Sequence, residues 1–200
     1  MLSQDDRPAL GLRERKKAKT RAAIQRHALR LFREQGYEAT TVSQIAEAAE
    51  ISPSTFFRYF PTKEDVVLYD YTDPLLIAAF AEQPPELSPI QALRGAMREV
   101  FTRLPSEEFA QQWERGRLML DVPELRMRML DQLGDGLQLM SELLAKRLGR
   151  SADDMAIRTF SGAVLGALTA AIFTAITRPD ANILALMDES LAYLEAGLPL

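Results

Sequence analysis

The chain has 200 residues, a formal net charge of −4, no cysteine and one histidine. Without cysteine the chain cannot form disulfides, a thiolate nucleophile or a cysteine-based zinc site, and the length allows one large domain or two modest ones. Residues 7–33 carry ten basic side chains against one acid, a net +9, so the rest of the chain carries −13. The basic segment is therefore expected to attract phosphate, while the acidic remainder keeps the protein soluble.

The N-terminal residues 1–12 include Pro8 and Gly11 and lack an apolar stretch, so they predict a disordered tail and neither a signal peptide nor a membrane anchor. The basic run 13–21 leads into a helix whose apolar face repeats at helical spacing and which ends at Gly36. Two interpretations of the run remain: solvated first turns of that helix, or contacts to phosphate or the minor groove. The candidates for DNA contact in this run are Arg15, Lys17 and Lys19.

Residues 41–63 predict two short helices joined by a tight turn and followed by a third helix. Thr41 and Gln44 form a capping-box pair at the start of the first helix. Ser52 as N-cap and Pro53 at the first helical position begin the second. This arrangement indicates a helix-turn-helix that binds DNA.

The second of these helices exposes groups that donate hydrogen bonds to phosphates or base edges, whereas Phe56 and Phe60 are predicted to anchor the core. Recognition helices of this type place their N-terminal residues nearest the bases in the major groove. The alternative is a Ser/Thr-rich turn beside an aromatic core edge, with no ligand. The exposed donors are Ser54, Thr55, Arg58 and Tyr59.

The segment from Lys17 to Val67 resembles the DNA-binding domain of the TetR family of bacterial regulators. The landmarks of the resemblance are Leu31-Phe32, Gly36-Tyr37, Thr40-Thr41-Val42, Ile45-Ala46 and Tyr59-Phe60-x-x-Lys63-Glu64. The resemblance implies that the DNA-facing residues are Thr41, Ser52, Ser54, Thr55, Phe57, Arg58, Tyr59 and Lys63. The chain departs from the family at Glu50, where glycine is usual, and a non-glycine residue in a left-handed turn costs about 1–2 kcal/mol.

The remainder of the chain is predicted to be helical, so the fold class is all-α with about nine helices. A helix from Lys63 is expected to run to Asp73, break at Pro74 and resume over 75–81. Caps, prolines and glycines bound further helices over 90–104, 106–120, 123–148, 151–177 and 182–197. The predicted domains are a helix-turn-helix domain over 13–68 and a ligand-binding and dimerisation domain over 69–200.

The helix over 151–177 is apolar on nearly every side from residue 160 to 176, which predicts burial on every side. Its length and flanking charges argue against a membrane span. Gly162, Gly166 and Ala170 lie on one face and predict close approach of another subunit, the alternative being a helix buried within its own chain. The TetR resemblance implies a homodimer in which the last two helices of each subunit form a four-helix bundle.

Large apolar side chains at helical spacing in the middle of the chain are either ordinary core or the lining of an effector cavity. Residues 113–130 also resemble, weakly, a TetR subgroup that binds acyl-coenzyme-A-like molecules, which makes Arg117, with Arg115 and Arg126, a candidate for the acidic end of a ligand. The only histidine, His27, lacks partners at ligand spacing, so no metal site is predicted. The candidate ligand-binding residues are Met97, Phe101, Phe109, Trp113, Arg117 and Phe160.

These patterns favour a cytoplasmic, homodimeric transcriptional regulator without a cofactor. It is expected to be a repressor that a small apolar or amphipathic effector, such as an acyl-CoA-like molecule, releases from double-stranded operator DNA. One alternative is an enzyme acting on acyl thioesters, although a catalytic histidine, a thiol and a phosphate-binding glycine loop are absent from the sequence. The other is a DNA-coating protein without an effector, which would show weak sequence preference.

Overall fold

A computed structural model describes residues 12–178 and 180–199, with the side chains of residues 12–15, 129 and 130 left out. The chain divides into two compact units, one ending at Tyr69 and the other beginning at Asp70. The described residues form ten helices and no strand, which confirms the predicted all-α class. The helices are α1 Leu12–Gln35, α2 Val42–Ala48, α3 Pro53–Tyr59, α4 Lys63–Leu68, α5 Asp73–Glu82, α6 Pro89–Arg103, α7 Ser106–Asp121, α8 Pro123–Leu148, α9 Met155–Thr177 and α10 Ile183–Glu195.

In the first unit, the helix starts follow the predicted caps. The Thr41 hydroxyl accepts from the Gln44 amide at 3.3 Å, and the Gln44 side chain accepts from the Thr41 amide at 2.8 Å. The Ser52 hydroxyl accepts from the Thr55 amide at 3.1 Å. The prediction that Phe56 and Phe60 anchor the core is confirmed, because both side chains are almost fully buried. The caps satisfy amide groups that would otherwise lack partners at the helix starts.

The turn between α2 and α3 has the left-handed backbone that the sequence predicts. Glu50 has a φ of 55°, a conformation that glycine adopts freely and that other residues adopt at a cost of about 1–2 kcal/mol. The amide of Glu50 donates to the Glu47 carbonyl at 3.0 Å, and that of Ile51 donates to the Ala46 carbonyl at 2.9 Å. The turn is held by these two bonds despite its strain.

Replacing Glu50 by glycine is expected to stabilise the chain. Glu50→Gly removes the left-handed strain but adds freedom to the unfolded chain, so the free energy of unfolding should rise by about 0.5–1 kcal/mol. Urea unfolding followed by circular dichroism measures the change. The matched control is Glu47→Gly, an exposed position inside α2, which should lose about 1 kcal/mol. A loss of stability in both variants would show that the Glu50 backbone is not strained.

The predicted helix from Lys63 to Asp73 is wrong at its C-terminal end, because α4 ends at Leu68. The buried side chain of Gln25, on α1, donates to the carbonyls of Val66 and Tyr69 at 2.8 and 2.7 Å. These are carbonyls of the kind that a helix C-terminus leaves unpaired, so α1 supplies the cap that ends α4. Pro74 lies in the first turn of α5 instead of breaking a helix, and the described residues form ten helices where about nine were expected.

In the second unit, the largest core lies among α5, α6, α8, α9 and α10. Between α8 and α9, the buried hydroxyls of Ser141 and Ser161 lie 3.1 Å apart in a hydrogen bond. The Ser161 hydroxyl donates to the Ile157 carbonyl at 2.9 Å, and the single proton of Ser141 is shared between the Ser161 oxygen and the Leu137 carbonyl at 2.8 Å. The pair is therefore satisfied without water or ligand.

The loop between α5 and α6 is fixed by an arginine on α8. The Arg147 guanidinium donates to the carbonyls of Gln83 and Leu87 at 3.3 and 3.2 Å and also to that of Pro84. Its central carbon lies 5.4 Å from the centre of the Phe80 ring. A guanidinium offers several donors in one rigid fork, so a single side chain satisfies carbonyls across the whole loop.

Candidate functional site: a nucleic-acid interface and an effector region

The helix α3 exposes a short row of side chains that can reach a nucleic acid. Phe57 is 52% exposed although it is apolar. Arg58 is exposed, and its guanidinium lies 5.4 Å from the centre of the Tyr59 ring. The hydroxyls of Ser54 and Thr55 lie 2.9 and 3.0 Å from the Ser52 hydroxyl. Three hydroxyls, one guanidinium and two aromatic rings thus lie along one short helix and its N-cap, and a helix is the element that enters a major groove.

Lys63, a predicted DNA-contact residue, is largely engaged inside its own unit. Its ammonium donates to the carbonyls of Tyr37 and Thr40 at 3.0 and 3.3 Å and lies 4.0 Å from the centre of the Tyr37 ring. The Tyr37 hydroxyl in turn donates to Glu64 at 3.0 Å. Two of three ammonium donors are thus used to hold the turn before α2, which leaves one for another partner. Thr41, by contrast, is exposed beside its cap partner Gln44.

The basic side chains of α1 extend the positive surface of this unit. Lys16, Lys17 and Lys19 are exposed on the first described turns, so the basic run is helical. The side chain of Arg15 falls outside the described part.

The pKa of His27 is lowered mainly by its partial burial and further by the positive charges of Arg26 and Arg30. This histidine is therefore neutral at pH 7.

The helix α9 leaves one complete face uncovered by its own chain. Its buried residues lie on the opposite face, and the sequence expectation of burial on every side is not met within one chain. A Cβ atom added at Gly162 or Gly166 would have no atom of this chain within 4 Å. Packing inside the chain therefore does not require glycine at these positions. The exposed positions along this face are Met155, Thr159, Gly162, Ala163, Gly166, Ala170, Phe173 and Thr177.

The same helix is long and apolar enough to cross a membrane if only length and composition are considered. Its 18-residue apolar window has a mean hydropathy of 1.8, and 22% of that window is buried in the chain. A helix that packs against a second subunit passes the same test. The glycines on its exposed face favour close contact with another helix.

The predicted effector residues fall into two groups. Met97, Phe101 and Phe160 belong to or pack on the main core, and Met97 and Phe101 also line a cleft of about 230 Å³ between α6 and α10. Phe109 and Trp113, on α7, pack against a cluster formed by α9 and α10. The rings of Phe101 and Phe109 meet edge to face at 6.1 Å, so the aromatic residues of α6 and α7 form one continuous apolar layer.

The three candidate arginines for a ligand have different surroundings. Arg117 is exposed, and Arg126 is exposed and donates to the Leu120 carbonyl at 3.1 Å. Arg115 is buried and forms an ion pair with Asp70, the first residue of the second unit. It also donates to the Gln112 side chain at 2.8 Å. Arg115 is therefore a structural cation, a role that spacing along the helix does not reveal.

Both halves of the chain match known protein families. Residues 24–69 match the family described as bacterial regulatory proteins, tetR family, and residues 87–199 match the MftR C-terminal domain. The chain is 39% identical over 151 residues to the HTH-type transcriptional regulator TcmR of Streptomyces glaucescens, covering 72% of this chain and 67% of TcmR. It is 26% identical over 154 residues to the putative mycofactocin biosynthesis transcriptional regulator MftR of Mycobacterium tuberculosis, covering 76% and 77%.

Solved structures show the same fold. The FadR repressor of Thermus thermophilus, in complex with lauroyl-CoA, superposes with a TM-score of 0.55 and 25% identity, covering 90% of this chain and 95% of that one. FadR of Bacillus halodurans, a regulator of fatty acid degradation, superposes with a TM-score of 0.60 and 23% identity, covering 89% and 99%. The similarity extends over both units of the chain.

Proposed function

This chain is a DNA-binding transcriptional regulator of the TetR family, and from that premise we propose that it is a homodimeric repressor released from its operator by a small apolar or acyl-type effector. The observation that carries the proposal is that α3 exposes Phe57, Arg58 and hydroxyl groups, in the same unit as the basic helix α1. Repressors of this class act on chromosomal DNA, so the proposal places the protein in the cytoplasm.

In the proposed complex, α3 enters the major groove. Arg58 and Tyr59 then reach phosphates or base edges, and the apolar edge of Phe57 contacts a thymine methyl group. Thr41, Ser52, Ser54 and Thr55 lie at the starts of α2 and α3, where hydroxyls and free amides suit phosphate. The remaining ammonium donor of Lys63 can reach a phosphate, while its other two hold the turn before α2. Lys17 and Lys19, with Arg15, add phosphate contacts from α1.

The proposal predicts a salt-sensitive complex that weakens when Arg58 is removed. Operator affinity, measured by fluorescence anisotropy from 50 to 200 mM salt, should fall with a slope of about −0.9 per neutralised phosphate on log-log axes. Arg58→Ala should flatten the slope by about 1.8, because a dimer loses two such contacts. Arg58 suits this test better than Lys63, whose ammonium also stabilises the fold.

The matched control is Arg103→Ala, which removes an exposed arginine of the second unit that pairs with Glu99 at 2.7 Å. Its slope and affinity should equal those of the wild type. A complex whose affinity does not change with salt, or an Arg58→Ala slope equal to that of the wild type, would contradict the proposed contact.

The homodimer is proposed from the uncovered face of α9. That face combines small residues, which allow helices to approach closely, with the exposed apolar side chains of Met155 and Phe173. Exposed apolar surface of this extent is unfavourable in water and is expected to be covered by a second subunit. Gly162, Gly166 and Ala170 are the proposed points of closest approach.

The effector class is proposed from the apolar layer formed by α6 and α7, and from FadR of Thermus thermophilus, which binds lauroyl-CoA. The proposed lining includes Phe109, Trp113 and Phe160, while the exposed Arg117 is retained only as a candidate for a contact at the entrance. An effector lowers operator affinity only if it binds the DNA-incompetent state more tightly, typically by about 1–3 kcal/mol.

Adding lauroyl-CoA is therefore expected to weaken operator binding by about 5- to 150-fold at saturation. Anisotropy titrations with labelled operator, with and without the thioester, measure the change, and free coenzyme A is the control for the nucleotide portion. Release of free thiol should stay at background, because the proposed role is binding and not hydrolysis. Unchanged operator affinity would exclude lauroyl-CoA as an effector, and thiol release would favour the enzyme alternative.

A further inference from the structure

The cleft between α6 and α10 has an apolar floor. Met97 and Leu191 are buried at its base, and Phe101 and Leu184 continue the apolar surface toward α7. On α10 the lining residues are Leu184, Ala185, Asp188 and Leu191, and Ala185 is exposed. The cleft therefore lies between α6 and α10 and reaches the solvent at Ala185.

The rim of the cleft carries two guanidiniums, and that of Arg98 is the less engaged of the two. Arg94 donates to both Asp188 oxygens at 2.8 and 2.9 Å and to Glu195 at 2.8 Å, so three of its five N–H donors are used. Hydrogen bonding from Arg94 lowers the pKa of Asp188, which remains ionised. Arg98, whose side chain is 69% exposed, lies 3.8 Å from Asp188, beyond hydrogen-bond distance. The Arg98 guanidinium is thus available for a bidentate anion.

The size of the cleft limits the ligand. An apolar cavity of about 150 Å³ holds one benzene molecule, and drug-sized ligands occupy about 300–1,000 Å³. At about 230 Å³, the cleft suits a single aromatic ring with a short substituent or a chain of about eight carbons. A complete coenzyme A thioester is too large for this space.

We propose that the α6–α10 cleft binds a small carboxylate, with its ring or short alkyl chain on Met97, Phe101 and Leu191 and its carboxylate paired with Arg98. An apolar floor beside an available guanidinium matches the two ends of such a molecule. A cationic ligand is disfavoured, because the Asp188 carboxylate is already bound by Arg94. Only the role of this ligand as an effector rests on the proposed function, since binding to the cleft does not require DNA.

Isothermal titration calorimetry on the full chain without DNA tests this site, with benzoate and octanoate as probes. Benzyl alcohol and 1-octanol have the same apolar bodies without the charge and should bind more weakly. Arg98→Gln should weaken carboxylate binding about tenfold, the usual effect of losing a charge-assisted pair. Arg103→Gln is the matched control, because Arg103 lies on the same helix with its side chain 65% exposed and pairs with Glu99.

A second variant tests the position of the apolar body. Ala185 is exposed and lines the cleft, so Ala185→Trp should fill the space without disturbing the core and should abolish binding of both carboxylates. The proposal is overturned if neither carboxylate binds, if Arg98→Gln binds as tightly as Arg103→Gln, or if Ala185→Trp binds as tightly as the wild type. Failure of operator binding would not affect these measurements, so the two proposals can fail separately.

Discussion

Gly166→Glu is expected to give a folded monomer that no longer binds its operator with specific affinity. Within one chain the new side chain meets no atom within 4 Å of its Cβ position, so the subunit itself should fold. At a subunit contact the same carboxylate would be buried without a partner, which costs several kcal/mol on each side of the interface. One helix-turn-helix covers only a half-site. Operator affinity should therefore fall about 1,000-fold or more, toward non-specific binding.

Gly134→Glu is the matched control for this substitution. Gly134 lies on α8, is exposed, and likewise has no atom within 4 Å of an added Cβ. It should leave both the molecular mass in solution and the operator affinity unchanged. Light scattering after size exclusion measures the mass, and anisotropy measures the affinity. A Gly166→Glu dimer with wild-type affinity would place the subunit interface elsewhere on the chain.

Arg115→Met is expected to cause a large loss of stability in the second unit. Arg115 pairs with Asp70 where both side chains are mostly shielded from water, at 10% and 24% exposure. Methionine preserves the length of the side chain but leaves the Asp70 carboxylate without its cation. Breaking a buried pair on one side typically costs about 3–5 kcal/mol. The partial exposure of Asp70 places the expected loss near the lower limit, about 3 kcal/mol.

The double variant Arg115→Met with Asp70→Asn should recover part of this loss, because no buried charge then remains unpaired. The Asp70→Asn amide keeps an oxygen that can accept from the Thr72 amide, as the Asp70 carboxylate does at 2.8 Å. Arg117→Met, two residues along the same helix, is exposed and should change stability by less than about 0.5 kcal/mol. Urea unfolding of the wild type and the three variants measures these differences. Equal stability of Arg115→Met and Arg117→Met would show that the ion pair contributes nothing net.

Local chemistry explains which parts of the fold were predictable from sequence. Thr41 and Ser52 accept from amides three residues later, and Pro53 has the φ of a first helical residue and no N–H that needs a partner, so the starts of α2 and α3 follow directly from the sequence. The left-handed turn at Glu50 was predicted from the family resemblance and is present in the structure. The burial of Phe56 and the exposure of Ser54 and Arg58 also followed from helical spacing, whereas Thr55 and Tyr59, predicted to be exposed, are half-buried.

The features that were missed depend on residues far apart in the sequence. The end of α4 is set by Gln25, which lies 41 residues before Val66, and no local pattern at Leu68 signals that end. Arg115 was predicted to face a ligand, yet its partner is Asp70, 45 residues earlier. Apolar residues at helical spacing identified a core but could not show that Met97, a member of the main core on which Phe160 packs, also lines the cleft. Tertiary packing decides such assignments.

The short helix α4 has no stability of its own, because six residues are too few to form an isolated helix in water. Its first turn is tied through Lys63 and Glu64 to Tyr37, in the turn that follows α1, and its last carbonyls are capped by Gln25 on α1. The amides of α4 can therefore exchange with solvent only when α1 releases them. Hydrogen-exchange protection in α4 should match that of the middle of α1, so the two helices open as one cooperative segment despite their fourfold difference in length.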